Sequence, residues 1–202
     1  MTQTLVIRSS ANAERSVSNQ LIDYYLVAQA AEDPQAQVTQ RDLDRDPVPH
    51  VTSATLAGIG RPAPETPSSQ GARELSDRLI AEVVAADTLV IGLPMYNFGM
   101  PSTLKSWFDH VLRAGTTFRY TASGPEGLVP DTRAILMVAR AGAYPAGGPD
   151  FQVGHVRTLL NFIGITDIEV VIAEGLAKGT ETAAAAIASA HAAIDKLVTV
   201  AA

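Results

Sequence analysis

Four serines, Ser9, Ser10, Ser16 and Ser18, fall within the stretch RSSANAERSVSNQ, just ahead of a run with helical periodicity. A helix N-terminus presents unpaired N–H groups and partial positive charge, and hydroxyls beside it add donors, which together suit a phosphate. Ser16 or Ser18 has a second reading, as an ordinary helix N-cap. Further along, PMYNFGMP sets the turn formers Pro94, Asn97 and Gly99 among Met95, Tyr96 and Phe98. A reversal there leaves backbone N–H and C=O groups for the polar edge of a ligand, while the three large side chains offer flat or deformable walls. A planar heteroaromatic ring demands that combination, since its faces want apolar contact and its heteroatoms want hydrogen bonds once desolvated. The alternative is burial in the core, which applies to Met95 more than to Tyr96. A third stretch, ARAGAYPAGGPD at 139–150, is rich in small residues that let a ligand approach the backbone.

Other chemistries lack their residues. The chain has no cysteine, which excludes disulfides, thiolate ligands and CxxC exchange, so redox activity requires a bound cofactor. His50, His110, His155 and His191 form no HExxH pair and read as surface or capping residues, so no metal site is expected. No serine occupies a GxSxG elbow, no GxGxxG follows the first strand, and GxxxxGK[ST] is absent. An acidic cluster of the receiver-domain kind is missing too, because the first apolar run ends in Arg8-Ser9 and a later one in Leu93-Pro94. Lys105 and Asp109, four apart, read as an exposed helical pair, and Trp107 with Phe108 as core.

The elements that must carry these loops follow from periodicity. Apolar runs at 4–7, 88–93, 134–139 and 168–173 read as strands, and continuous runs of this kind are typical of a parallel sheet covered on both faces. Residues 37–43 are a weaker fifth candidate. Between them lie five segments of helical period, marked by Leu21/Tyr25, Leu75/Leu79, Leu104/Trp107, Val156/Leu160 and Ile187/Ile194. The alternation predicts an α/β three-layer sandwich with right-handed crossovers, and in such sheets ligands sit beyond the carboxyl ends of the strands, where the three loops begin. Residues 44–67 turn acidic and rich in Gly and Pro, too broken for regular structure, and read as a long excursion that forms part of a pocket or interface, or is a tolerated insertion.

At 202 residues the chain fits one domain, 1–202, and no apolar stretch reaches the roughly 18 residues of a membrane span. A net charge of −6 with scattered Lys and Arg argues against nucleic acid. With no signal-peptide pattern at its start, the chain is expected to be cytoplasmic.

The segments PMYNFGMPSTLKSWFDHVLRAGTTFRY, GPEGLV and NFIGITD, with the amino-terminal SS…SVSNQL, resemble the FMN-dependent NADH-azoreductase family, whose relatives include quinone reductases. The resemblance spans nearly the whole chain and is loosest over 44–67. It implies a flavodoxin-like fold, strand order 2-1-3-4-5, and a homodimer that takes a hydride from NADH, or NADPH, onto FMN and passes two electrons to a quinone or azo compound. It also implies that Ser10 and Ser16-Val17-Ser18 hold the FMN phosphate and that Met95, Tyr96, Asn97 and Phe98 border the isoalloxazine. Tyr120 and Phe162 match aromatic positions on the substrate side, or else pack ordinarily. The family's Ser-Arg-Gly-Gly turn is here Ala139, Arg140, Ala141 and Gly142, which removes a hydroxyl and adds a methyl. Arg140 is then either a charge near the flavin or a solvated one, and no catalytic acid or base is assigned. Two rivals share the fold: a flavodoxin-type electron carrier without nicotinamide turnover, and a flavin-free regulatory protein.

Overall fold

A computed structural model describes residues 2–60, 63–144, 148 and 150–200. Pro62 of the excursion and the centre of the third loop lie outside the described residues. Five parallel strands form one sheet, β1 (Gln3–Arg8), β2 (Gln37–Asp42), β3 (Thr88–Pro94), β6 (Arg133–Ala139) and β7 (Ile168–Ala173), in the order β2-β1-β3-β6-β7. A two-stranded antiparallel hairpin, β4 (Phe118–Thr121) and β5 (Gly124–Gly127), stands apart from it. The expected order counted five strands; this hairpin was not foreseen.

Position in the sheet explains why some strands were easier to read. The inner strands β1, β3 and β6 are covered on both faces and so are apolar over most of their length, whereas β2 is an edge strand with four exposed residues and a polar sequence. Alternate side chains point to opposite faces. Leu5, Leu89, Ala134 and Ile7, Ile91, Leu136 pack under α3 (Pro67–Ala85), α4 (Ser102–Val111) and α5 (Val153–Phe162). Val6, Val90, Ile135 and Met137 pack under α1 (Val17–Glu32) and α6 (Thr180–Val200), where small residues let the last helix sit close. Trp107 and Phe108 are fully buried, as expected of α4.

Several local expectations need correction. Residues 44–67 contain a short helix, α2 (Leu56–Ile59), and are fastened to the body rather than loose. Leu43 and Val48 enter the core, His50 Nδ1 lies 2.8 Å from Ser106 Oγ, and Arg73 donates to the carbonyl oxygens of Gly58 and Gly60. Pro67 is the first residue of α3, where its missing N–H costs nothing, and Thr66 caps that helix. Pro94 is the last residue of β3, where the apolar run was expected to end. His110 is a core residue, 2% exposed, with Nδ1 3.0 Å from the Ser106 carbonyl oxygen, and His191 stacks on Tyr24 at 3.8 Å. Lys105 and Asp109 do pair on α4. Among the described residues no helix is long and apolar enough to cross a membrane.

The hairpin is held against the end of α5 by two glycines. Gly164, at φ +104°, lies against Gly127, and Val129 N–H donates to the Ile163 carbonyl oxygen at 2.9 Å. A β-carbon on Gly127 would overlap the Gly164 amide nitrogen and the Ile163 carbonyl carbon, both of them backbone. Gly127→Ala is therefore expected to destabilise the fold by about 2 kcal/mol, read as a lower urea midpoint.

Candidate functional site

The carboxyl ends of β1, β3 and β6 meet at a cleft of about 570 Å³, lined by Ser10, Arg15, Val17, Met95, Tyr96 and Ala141 among others. Its first wall is the loop after β1. Helix α1 begins at Val17, two residues earlier than periodicity indicates, and Ser16 is its N-cap, accepting the Asn19 N–H at 3.2 Å. Ser18 is fully buried with its hydroxyl 3.1 Å from that of Ser16. The capping role of Ser16 therefore holds, and it leaves the Val17 and Ser18 amides without hydrogen-bond partners among the described residues. Ser10 is 3% exposed; its hydroxyl accepts the Asn12 N–H at 3.2 Å and lies 3.4 Å from the Tyr96 hydroxyl. Ala13 takes φ +44°, unusual for a residue with a β-carbon.

The second wall follows β3. Met95 N–H donates to the Ala139 carbonyl oxygen at 2.9 Å, and Tyr96 and Gly99 exchange N–H···O bonds at 3.1 Å in both directions. Between them Asn97 (φ +48°) and Phe98 (φ +70°) make a two-residue reversal with both residues left-handed. Asn tolerates that region, but Phe does so at a cost of order 1–3 kcal/mol. The Asn97 and Phe98 amides bond to no other group among the described residues. Met95 is half-buried, while Tyr96 and Phe98 are 39% and 51% exposed, so this loop is not core. Tyr96 also laces the two walls together, its hydroxyl oxygen accepting the Ala11 N–H at 3.0 Å.

The third wall is the turn after β6. The carbonyl oxygens of Arg140, Ala141 and Gly142 accept amides of Leu176, Ala177 and Gly175, at 3.2, 3.0 and 2.8 Å, while the Ala141 and Gly142 amides have no partner among the described residues. Arg140 is not a solvated charge. It is 3% exposed, bonded to Asp150 at 2.6 Å and Gln152 at 3.3 Å, with Glu174 at 3.7 Å and the Tyr144 ring 5.6 Å away. Burial alone pushes the Asp150 carboxyl upward, and the Arg140 bond, the Gln152 and Val153 amides and the Arg140 charge together bring it below its ordinary value. Gln152 in turn donates to the Leu93 carbonyl oxygen at 3.1 Å, so this cluster ties β3, β6 and α5.

Tyr120 and Phe162 are not brought to this cleft. Phe162 closes α5, about 15 Å along the helix from its cleft-side start at 1.5 Å per residue, and both side chains lie against Phe118, at 5.6 Å for Tyr120 and 4.5 Å for Phe162. Sequence reading missed Arg15, Leu176 and Ala177, which line the cleft. Arg15 stood in the serine-rich loop and was legible there; Leu176 and Ala177 follow β7 and carry no chemical signature.

A family model described as flavodoxin-like fold matches residues 2–198. This chain belongs to the flavodoxin-like family. Within that family it is 47% identical over 200 residues to a Hyphomonas neptunium protein named FMN-dependent NADH:quinone oxidoreductase, covering 98% of this chain and 96% of the relative. It is 48% identical over 200 residues to one of the same name from Escherichia coli (strain K12), covering 98% and 99%. Among solved flavodoxin-like structures, an azoreductase from Bacillus anthracis str. Sterne superposes with a TM-score of 0.88 at 28% identity, covering 98% of this chain and 99% of that one. An FMN-dependent NADH-azoreductase from Bacillus anthracis str. Ames Ancestor, in complex with FMN, gives 0.85 at 26%, covering 98% and 100%.

The ion cluster under the third wall yields a prediction with a definite sign. Arg140→Met removes the side-chain bond and the charge that support Asp150 and is expected to cost about 2 kcal/mol near neutral pH. Because the folded pKa of Asp150 is depressed, its contribution is fully present above the ordinary value of 3.8 and is lost as pH falls through the depressed one. Thermal midpoints of wild type and variant should therefore converge in acid below the carboxylate range.

Proposed function

We propose that this chain is an FMN-dependent NAD(P)H oxidoreductase that reduces quinones and azo compounds, with residues 1–202 acting as one FMN-binding domain. The observation that carries the reading is the cleft itself, which sets open amides at the start of α1 opposite a left-handed aromatic reversal after β3. Such a cleft fits a phosphate joined to a planar ring with polar edges. The relatives named FMN-dependent NADH:quinone oxidoreductase support the same cofactor and donor.

In this reading Ser10, Ser16, Val17 and Ser18 hold the phosphate, through hydroxyls and through the amides at the positive end of α1. Met95, Tyr96, Asn97 and Phe98 border the ring, with the Asn97 and Phe98 amides facing its polar edge. Ala139, Arg140, Ala141 and Gly142 close the other side by main-chain contacts, which the Ala-Arg-Ala-Gly sequence preserves although position 139 lacks a hydroxyl. The Arg140 charge is spent on Asp150 and Glu174 and positions the turn instead of meeting the ring. FMN held there would supply the two-electron redox chemistry that links nicotinamide to acceptor. No side chain is assigned as acid or base, since water protonates a reduced quinone.

We also infer a homodimer. Tyr120 and Phe162 lie away from their own cleft, and Phe98, Tyr120 and Phe151 are 51%, 62% and 69% exposed, which suits a partner surface. In this reading the two aromatics complete the substrate side of the partner subunit's cleft.

The test is a visible spectrum of the protein with FMN, taken before and after anaerobic NADH and again after a quinone. Bleaching followed by recovery is expected. Flavin that binds but stays oxidised would turn the reading to an electron carrier, and a protein that binds no flavin would overturn the cleft assignments. Asn97→Leu is expected to weaken FMN binding roughly tenfold in a fluorescence titration, and Asn97→Gly less, because glycine keeps the left-handed turn.

A further inference from the structure

The opposite, amino end of the sheet holds a second cavity of about 310 Å³, which the flavin chemistry does not use. It lies between the last turn of α1 and the starts of β3 and β6, and Tyr25, Gln29, Glu32, Asp33, Thr88 and Arg133 contribute to its lining. Two buried polar atoms there lack partners. Gln29 is 7% exposed; its Nε2 donates to Thr4 Oγ1 at 2.7 Å, and its Oε1 accepts nothing. Arg133 Nε is likewise buried without an acceptor, and the Arg133 guanidinium makes no ion pair among the described residues. Leaving such atoms unmet costs on the order of 1–3 kcal/mol each, more where the group is charged.

The two orphans ask for opposite things. Arg133 needs an anionic acceptor, and the Gln29 carbonyl oxygen needs a donor. Tyr25, 5% exposed, stands beside the arginine. Burial raises its pKa and the Arg133 charge opposes that, so its hydroxyl stays protonated near neutral pH and can donate to the same anion. At the rim, Glu32 and Asp33 carry negative charge where α1 ends, and the carboxyl end of a helix favours a cation as well. Anion-binding and cation-binding groups thus share one small cavity.

We propose that this cavity binds a small zwitterion of the free α-amino acid class. The carboxylate is held by Arg133 and Tyr25, the ammonium by Gln29 Oε1 and the acidic rim. The rim disfavours acidic side chains, leaving amino acids with neutral or basic side chains as the ligands. The site is independent of flavin and of the nicotinamide.

Isothermal titration of the FMN-loaded protein with L-leucine, L-glutamine and L-arginine tests this, with acetate and butylamine as half-ligand controls. At least one amino acid should bind with a dissociation constant on the order of 1 mM or tighter. Arg133→Met and Gln29→Leu should each weaken it roughly tenfold. Because Arg133 Nε has no partner to lose, Arg133→Met should keep the wild-type thermal midpoint. Saturation by none of the three amino acids would overturn the proposal, as would acetate binding equally well, which would make this a plain anion site. Affinity unchanged in both variants, or loss of cooperative unfolding in Arg133→Met, would also overturn it, by placing binding elsewhere or assigning the arginine to the fold.

Discussion

The carboxyl end of β3 is the constraint on which the cleft depends. Its last residues, 92–94, are buried in the middle of the sheet, where an unmet carbonyl oxygen would cost about 1–3 kcal/mol. Each neighbour supplies a partner. Ser9 Oγ, after β1, donates to the Gly92 oxygen at 2.6 Å, and Gln152, at the start of α5, donates to the Leu93 oxygen at 3.1 Å. Met95 N–H then reaches across to Ala139. Satisfying the end of one strand thereby fixes three loops relative to one another, and those three loops are the walls of the cleft.

The same economy governs charge under the third wall. A guanidinium as buried as that of Arg140 is tolerated only with negative charge and acceptors around it, which the Asp150 and Glu174 carboxylates and the Gln152 amide oxygen provide. Asp150 also accepts the Gln152 and Val153 amides, starting α5. Buried ion clusters add little net stability over apolar packing, but they tolerate few alternative geometries. Here that selectivity holds a turn whose Ala141 and Gly142 amides have no partner among the described residues.

Strain is confined to the rim. Ala13, Asn97 and Phe98 are the described residues other than glycine with positive φ, and all three sit in the first two loops. Held there by neighbouring bonds, the reversal after β3 presents two amides and an aromatic side chain in a fixed arrangement, so a ligand need not order the loop on binding. The expected polar groups at this sheet end are present, although fewer than the turn residues alone imply, because the Met95 amide bonds to Ala139 and Tyr96 and Gly99 bond to each other.

The sequence by itself determined the layers of the fold and the loops that matter. Runs of apolar residues at 88–93 and 134–139 can be stable only as inner strands, and hydroxyls ahead of a helix or aromatics within a turn declare themselves through residue type alone. The edge strand β2 and the hairpin β4–β5 were faint or silent, since an exposed strand needs no apolar pattern and a glycine-rich hairpin owes its place to contact with Gly164. Tertiary structure decided what depends on neighbours distant in the chain: that Arg140 is neutralised by Asp150 and Glu174, that His110 is core, that Tyr120 and Phe162 stand away from their own cleft, and that Gln29 and Arg133 face an amino-end cavity. Local pattern records what a residue can bury or donate; only the packed chain fixes which partner, if any, it finds.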